Sequence, residues 1–322
     1  MTTLNPIKRT WQQTMIWLAC RDDLRERIES SDRLAALAGR FVAGPDVADA
    51  RRKAEELAAA HIHTSVYYLG EYVDSAELVA VNVTGILTAI EHFKTTELNW
   101  FISVDPTQIG YSISGELGWT NAQRIGDVIK QSLPDAPAHP VMIDMEDARV
   151  VSETIDLFEK LRASGVPAAV TLQTYLFRTE QDFQRLAAQG ASIRLVKGAF
   201  VASRRIAYTR KRDIDDTYLR LCLLALSPAM KAAGHRPIFA THDDRILNIL
   251  LAVAQANGWE PHEYEIEMLL GVRDTYQREL AAKGYTVRVY VPFGAAWWPY
   301  SIRRVGENPA NGRFVLRALL RR

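Results

Sequence analysis

The stretch AAVTLQTYLFRTEQDFQRLAAQGASIRLVKG, residues 168–198, changes rhythm twice. Its ends, AAVTLQT and SIRLVKG, are short β-rich runs. Between them TEQDFQRLAAQG is amphipathic at helical spacing and stops at a glycine, which accepts the left-handed backbone that ends many helices. Strand, helix and strand in this order pair in parallel through a right-handed crossover. The pattern extends in both directions, with further β-rich runs TSVYYLG (64–70), NWFISVD (99–105), PVMIDM (140–145), RPIFATH (236–242), EYEIEML (263–269) and TVRVYVPFG (286–294). Eight strand–helix units of even spacing in roughly 250 residues predict a closed (β/α)8 barrel over a doubly wound open sheet. Upstream, residues from about 8 to 60 read as helices with a break at AGPD, residues 43–46. The expected organisation is a helical segment over 1–62 followed by an α/β barrel over 63–322.

The 322 residues are 48% hydrophobic and 24% charged, enough apolar material for a large core. A formal net charge of +1 gives no electrostatic argument for a nucleic-acid partner. Cys20 and Cys222 stand far apart, in no metal-ligand spacing, which fits a reducing compartment. The N-terminal residues contain no apolar run of secretory type, and no stretch reads as a membrane span, so a cytoplasmic location is expected.

Barrel chemistry collects at the C-terminal ends of the strands, and here those ends are polar. They carry Glu71, Asp105 with Thr107 and Gln108, Asp144 with Glu146 and Asp147, Gln173, Arg194 with Lys197 and Gly198, Thr241-His242-Asp243-Asp244, Glu265 and Glu267, and Tyr290. Any one of these is compatible with a capping role; so many together need partners. His61-x-His63 puts two imidazoles on one strand-like face, but no specific metal signature accompanies them. Lys197 has the position of a Schiff-base lysine or of a phosphate-binding one. No GxGxxG follows a strand, and neither a GxxxxGK[ST] loop nor a GxSxG elbow occurs. Near the C-terminus, in YSIRRVGEN (300–308), Tyr300, Arg303, Arg304 and Glu307 fall on one helical face. Taken alone, that face reads either as a solvated surface with an Arg303–Glu307 pair or as an anion clamp.

YVPFGAAWWPYSIRRVGENPAN (290–311) resembles the C-terminal signature of the proline dehydrogenase family. LGE (69–71), IDMED (143–147), LQTYL (172–176), RLVKGAF (194–200), FATHD (239–243) and EMLLG (267–271) resemble further family motifs and occur in the family's order. The resemblance covers roughly residues 62–322. It implies a distorted (β/α)8 TIM-type barrel whose final helix lies over the strand ends, FAD as cofactor, and L-proline oxidised to Δ1-pyrroline-5-carboxylate by hydride transfer from C5 to the flavin N5. The implied acceptor of the electrons is quinone-type, with a peripheral membrane contact admitted.

Carried over position by position, the resemblance implies that Arg303 and Arg304 grip the substrate carboxylate, with Glu71 pairing to Arg303. Tyr300, Tyr290 and Leu269 would pack the carbon ring. Asp144 would line the substrate and flavin region, and Arg194 would lie near the flavin N5. Gln173, Arg194, Lys197, Gly198, Ala199, Thr241, His242, Arg304 and Glu307 would bind FAD. One departure bears on the substrate: where the family has lysine in SVK, this chain has SVD, with Asp105. An anion there adds repulsion toward a carboxylate, which opens a second expectation of a modified proline or related cyclic amine. Phe200, Ala296 and Pro299 are smaller departures, from the family's tyrosine, aspartate and glycine. Alternatives of other classes are a flavin-free Lys197 lyase or aldolase, and a non-catalytic homologue.

Overall fold

Every β-rich run forms a strand, and the eight strands close on themselves. The computed structural model describes residues 39–70, 73, 75–132, 139–200, 202–298 and 300–301. In chain order the elements are α1 (Val47–Ala58), β1 (Ile62–Tyr68), α2 (Ala76–Phe93), β2 (Trp100–Val104), α3 (Gly115–Ser132) and β3 (Val141–Ile143). A single 3-10 turn (Ala148–Val150) leads into α4 (Val151–Ala163), β4 (Ala168–Gln173), α5 (Thr179–Ala187) and β5 (Ser192–Val196). The remainder is α6 (Lys211–Ala225), α7 (Pro228–Ala232), β6 (Arg236–Ala240), α8 (Asp244–Ala256), β7 (Glu265–Leu269), α9 (Asp274–Ala282) and β8 (Val287–Phe293). The strands follow one another around the barrel in sequence order, all parallel, and β8 closes on β1 with Ser65 opposite Tyr290.

Local chemistry fixes the punctuation. Asp46 caps α1 by accepting from the Asp49 amide at 3.0 Å, which turns the AGPD break into a helix start. At the other end of α4, Gly165 has φ +77; its amide bonds the Arg162 carbonyl at 2.9 Å, and the Val166 amide bonds the Leu161 carbonyl at 3.0 Å. This Schellman pairing needs the left-handed residue that glycine supplies without a Cβ penalty.

The helices pack their apolar faces on the outside of the strands. Ile86, Ile90 and Phe93 of α2 meet Trp100 and Ile102 in a shared core, as do Phe158 of α4 and Phe183 of α5 with the strands beside them. Full burial of side chains of this size stabilises by roughly 1.5–3 kcal/mol each. Contrary to the sequence expectation, α2 is by length and composition long and apolar enough to cross a membrane. Seven of its residues, including Val79, Val83 and Ile86, are buried in the barrel's outer ring. α1 packs against β1 and β8, and the Ala43 amide bonds the Pro292 carbonyl at 2.8 Å, so this part of the expected helical segment belongs to the barrel wall. Residues 1–38 of that segment lie outside the described residues.

Inside the barrel the side chains form layers. Near the N-terminal ends of the strands, Phe101, Met142, Ala169 and Ile238 make a small apolar cluster. The fully buried Arg288 guanidinium lies 3.4 Å from the Phe101 ring centroid. Its Nε donates to Glu265 Oε2 at 2.6 Å, and its Nη groups donate to the Thr64 carbonyl and Asn99 Oδ1 at 2.8 and 2.7 Å. Arg288 outweighs the burial that would raise Glu265 and holds its carboxyl below the usual range. Glu265 therefore belongs to this lower layer, not to a strand's C-terminal end. His61 and His63 do not share a strand face: His61 is exposed, with φ 57, before β1 begins, whereas His63 is half-buried beside Arg288.

Replacing Arg288 by methionine strands a buried carboxylate, and we expect the fold to lose about 3–5 kcal/mol, measured as the shift of the urea midpoint. Changing Glu265 to methionine as well should recover a large part of that loss. Burial first, and then Arg288, push His63 down to about 4, and burial does the same to His235. Both imidazoles stay neutral in the folded chain under conditions where the unfolded chain binds protons. Stability should therefore be full above about pH 6.5 and fall as the pH drops toward 4. Urea titrations at stepped pH should show a shallower decline for the His63→Asn/His235→Asn pair.

Candidate active site

Arg194 stands at the middle of β5 and points into the barrel, buried to 5% exposure. Its guanidinium reaches almost every other strand. Nε donates to Glu267 Oε2 at 2.8 Å, and Nη1 donates to Asp144 Oδ1 and to Thr171 Oγ1. Nη2 donates to the Ser65 and Ser103 hydroxyls at 3.2 Å each, and the group sits 5.5 Å from the Tyr290 ring centroid. Burial opposes the charge of Arg194, but Glu267 and Asp144 outweigh it, so the group is more firmly protonated than in water.

Above this layer the polar groups form a chain. Tyr290 donates its hydroxyl to Asp144 Oδ2 at 2.9 Å and stacks on Tyr67 with ring centroids 5.4 Å apart. Tyr67 in turn donates to Asp105 Oδ2 at 2.6 Å. Burial, then the Asp144 carboxylate, then Tyr67 push the Tyr290 hydroxyl well above its ordinary range, so it remains a donor. Asp105, at the end of β2, thus joins Asp144, Arg194 and Tyr290 in one connected mouth. Tyr300 is buried and close enough to Tyr290 to contribute to its environment.

Gln173 ends β4 beside them. Its Nε2 donates to the Met145 and Glu146 carbonyls at 3.1 and 3.2 Å, which fixes the amide and leaves the buried Oε1 without a partner among the described residues. A second group lies at the ends of β5 and β6. Lys197 donates to Asp215 at 2.6 Å and stands 3.7 Å from Asp243. The Asp243 amide bonds the Thr241 hydroxyl at 3.2 Å, and His242 Nε2 accepts the Leu269 amide at 3.0 Å. Gly198 has φ +103, and a Cβ there would collide with the Tyr175 ring, so only glycine lets the chain leave β5 at this angle; Ala199 follows, exposed. Lys197 is committed to the Asp215 and Asp243 carboxylates, so the geometry gives its Schiff-base alternative no support.

Other polar strand ends are structural. Asp147 accepts the Arg149 amide and Asp243 the Arg245 amide, each capping the turn that follows. Glu146 accepts from the Thr107 amide at 2.9 Å, joining the loops after β2 and β3. No three His, Cys, Asp or Glu groups among the described residues are arranged to hold a metal ion. Glu71, Arg303, Arg304 and Glu307 lie outside the described residues, as does the course of the final helix beyond Ser301. Trp297, Trp298, Tyr300 and Ser301 have helical backbone directly after β8.

Two features went unrecognised in the sequence. Glu267 is a partner of Arg194, and Ser65, Ser103 and Tyr67 line the same interior. The only available signal was strand parity, which sets Ser65 with Tyr67 and Glu265 with Glu267 on the same face.

The donors and acceptors at this end of the barrel have the character that a flavin requires. An acceptor fixed at the end of β4, a buried cation beneath it and a glycine-opened turn at the end of β5 fit a group that has a ring N–H and a pyrophosphate-bearing tail.

Comparison with known proteins adds an independent line. The family model described as proline dehydrogenase matches residues 50–317. The chain is 31% identical over 287 residues to proline dehydrogenase 2 of Bacillus subtilis (strain 168), covering 88% of this chain and 91% of that protein. It is 33% identical over 290 residues to proline dehydrogenase of Deinococcus radiodurans, covering 88% and 90%. Among solved structures, proline utilization A from Bdellovibrio bacteriovorus, inactivated by N-propargylglycine, superposes with a TM-score of 0.79 at 18% identity. That match covers 95% of this chain and 37% of the larger one, and it supports the barrel fold. With two thirds and more of each curated relative spanned, the chain belongs to the proline dehydrogenase family.

Proposed function

We propose that this chain is an FAD-dependent oxidoreductase that converts L-proline to Δ1-pyrroline-5-carboxylate by loss of a hydride from C5. The observation that carries the reading is the connected mouth of Arg194, Asp144, Tyr290 and Gln173 at the strand ends of a proline dehydrogenase family barrel. FAD, when bound, supplies the two-electron acceptor at N5 and passes the electrons on to a quinone-type oxidant. Every other role falls to the chain's own residues.

Gln173 Oε1 accepts a ring N–H, because both hydrogens of its amide are already committed to carbonyls. Arg194 holds a fixed positive charge at the floor of the site, aimed before any ligand arrives, and therefore costs no reorganisation when negative charge develops. Lys197, Gly198, Ala199, Thr241 and His242 line the side of the mouth suited to the ribityl, pyrophosphate and adenosine parts. Tyr290, Tyr300 and Leu269 form an apolar wall for a five-membered ring, and Arg303 and Arg304, with Glu71 and Glu307, complete the reading as carboxylate and cofactor ligands. Bidentate guanidinium–carboxylate pairing suits that task. Solvent takes the amine proton, and the protein works in the cytoplasm with at most peripheral membrane contact.

A second reading concerns the substrate alone. Asp105 sits in the same mouth, oriented by Tyr67, and an acidic group there favours a substrate with a cationic or hydrogen-bonding substituent on the ring. N-substituted and ring-hydroxylated prolines are the candidates.

The purified protein should be yellow, and anaerobic addition of L-proline should bleach it. A colourless protein that refuses added FAD overturns the reading. Gln173→Leu should weaken FAD affinity roughly tenfold, the worth of one well-placed hydrogen bond of about 1.4 kcal/mol, with the barrel's far-ultraviolet circular dichroism unchanged. Asp105→Lys should lower the L-proline concentration needed for half-bleaching; if a substituted proline bleaches the parent better than L-proline does, the second reading holds.

A further inference from the structure

Glu267 is a buried acid in the barrel interior, paired with Arg194, that the proposed chemistry leaves without a task. It lies on β7, 3% exposed, with Oε2 accepting from Arg194 Nε at 2.8 Å and Oε1 bonded to nothing among the described residues. Asp144 shares the same guanidinium but is better served, since Tyr290 at 2.9 Å and Thr171 at 3.3 Å also donate to it. The charged and titratable groups facing Glu267 are Arg194 from β5, Asp144 from the end of β3, Glu265 from its own strand and Arg288 from β8, with Tyr290 of β8 lying against Arg194 and Asp144. His63 of β1 lies beyond Arg288, and β6 presents Ala240 opposite Glu267.

In this interior three carboxyls, Asp144, Glu265 and Glu267, face two guanidiniums, Arg194 and Arg288. Arg288 is committed to Glu265 through two hydrogen bonds, at 2.6 and 3.2 Å. Arg194 is left to balance Asp144 and Glu267 together. A further negative charge added here, away from water, is strongly unfavourable, and a proton taken up by the carboxyl with the fewest donors is the least disruptive way to offset it. Burial first, and then Asp144 and Glu265, raise the Glu267 carboxyl against the pull of Arg194 and Arg288.

We propose that Glu267 is a positioning residue that acts through Arg194, taking up one solvent proton when the site gains negative charge. This rests on the flavin reading above. Hydride arrival brings two electrons and one proton, so the cofactor becomes more negative by one. The carboxylate of Glu267 then binds one proton from solvent to form the carboxylic acid, and the charge of the site is restored. Protonation also removes the anion paired with Arg194 Nε, so the guanidinium presents more of its charge to the mouth just as that charge is needed.

The test is a potentiometric titration of the flavin-loaded protein between pH 6 and 9. Each proton coupled to a two-electron couple shifts its constant tenfold per pH unit, or about 30 mV. The parent should show a window in which the midpoint falls by about 60 mV per pH unit, twice the single-proton value. Glu267→Gln should fall by about 30 mV per unit over the same window. A reduced-minus-oxidised infrared difference spectrum of the parent should gain a protonated-carboxyl carbonyl band that Glu267→Gln lacks. Equal slopes in parent and variant overturn the proposal while leaving the flavin reading intact. If the variant fails to fold, the infrared band in the parent decides, and its absence overturns the proposal. A parent that takes up no flavin overturns both.

Discussion

A single guanidinium, that of Arg194, spans the barrel's interior, and the C-terminal half of the barrel is organised around its hydrogen bonds. The group touches side chains from β1, β2, the end of β3, β4 and β7, and lies against a tyrosine of β8. Stripped of water, its donors must each find an acceptor, because an unmet buried donor is more costly than a made bond is favourable. That requirement constrains strand register as well as side chains. A one-residue slip would turn Ser65, Ser103 or Glu267 out of the barrel and leave the guanidinium unmatched. The arrangement that closes the sheet is the same one that prepares an electrostatic floor beneath the mouth.

Carboxylates at the strand ends divide into two populations that are chemically identical and physically distinct. Asp147, Asp243 and Asp244 serve neighbours within a few residues or at the next loop: amides two residues on in the first two cases, and Arg273 at 3.1 Å in the third. Asp144 and Glu267 instead bond groups that arrive from across the barrel. Only the second population is buried, away from solvent.

This division explains how much was legible in the sequence. The strands were readable because β-rich runs alternating with glycine-ended amphipathic stretches have few other uses; seven runs contain their strand whole, and β1 begins two residues ahead of its run, at Ile62. The AGPD break, the strand-end residues Asp144 and Gln173, and Arg194 were visible for the same reason, since their positions follow from local pattern and from family motifs, although Arg194 proved to lie at the middle of its strand. The partners of Arg194 were not. Ser65, Ser103 and Glu267 are separated from it by 129, 91 and 73 residues, and nothing in a serine's immediate neighbours says that it will face a distant arginine. Glu265 and Glu267 looked alike in the sequence, yet two positions along a strand place them in different layers with different arginines. The imidazoles of His61 and His63 failed to share a face because His61 is itself left-handed and precedes β1, a backbone event that residue spacing does not register.

The lower layer gives the molecule a division of labour. Arg288, Glu265, Asn99 and the Thr64 carbonyl form a self-contained knot near the strand N-termini, sealed by Phe101. Among the described residues, none of its hydrogen bonds runs to Arg194, Asp144 or Tyr290. A barrel with two separate polar knots can exchange residues in the upper one, for substrate or electron acceptor, while the lower one keeps the cylinder shut. Evolutionary drift in the catalytic half is thereby uncoupled from collapse of the scaffold.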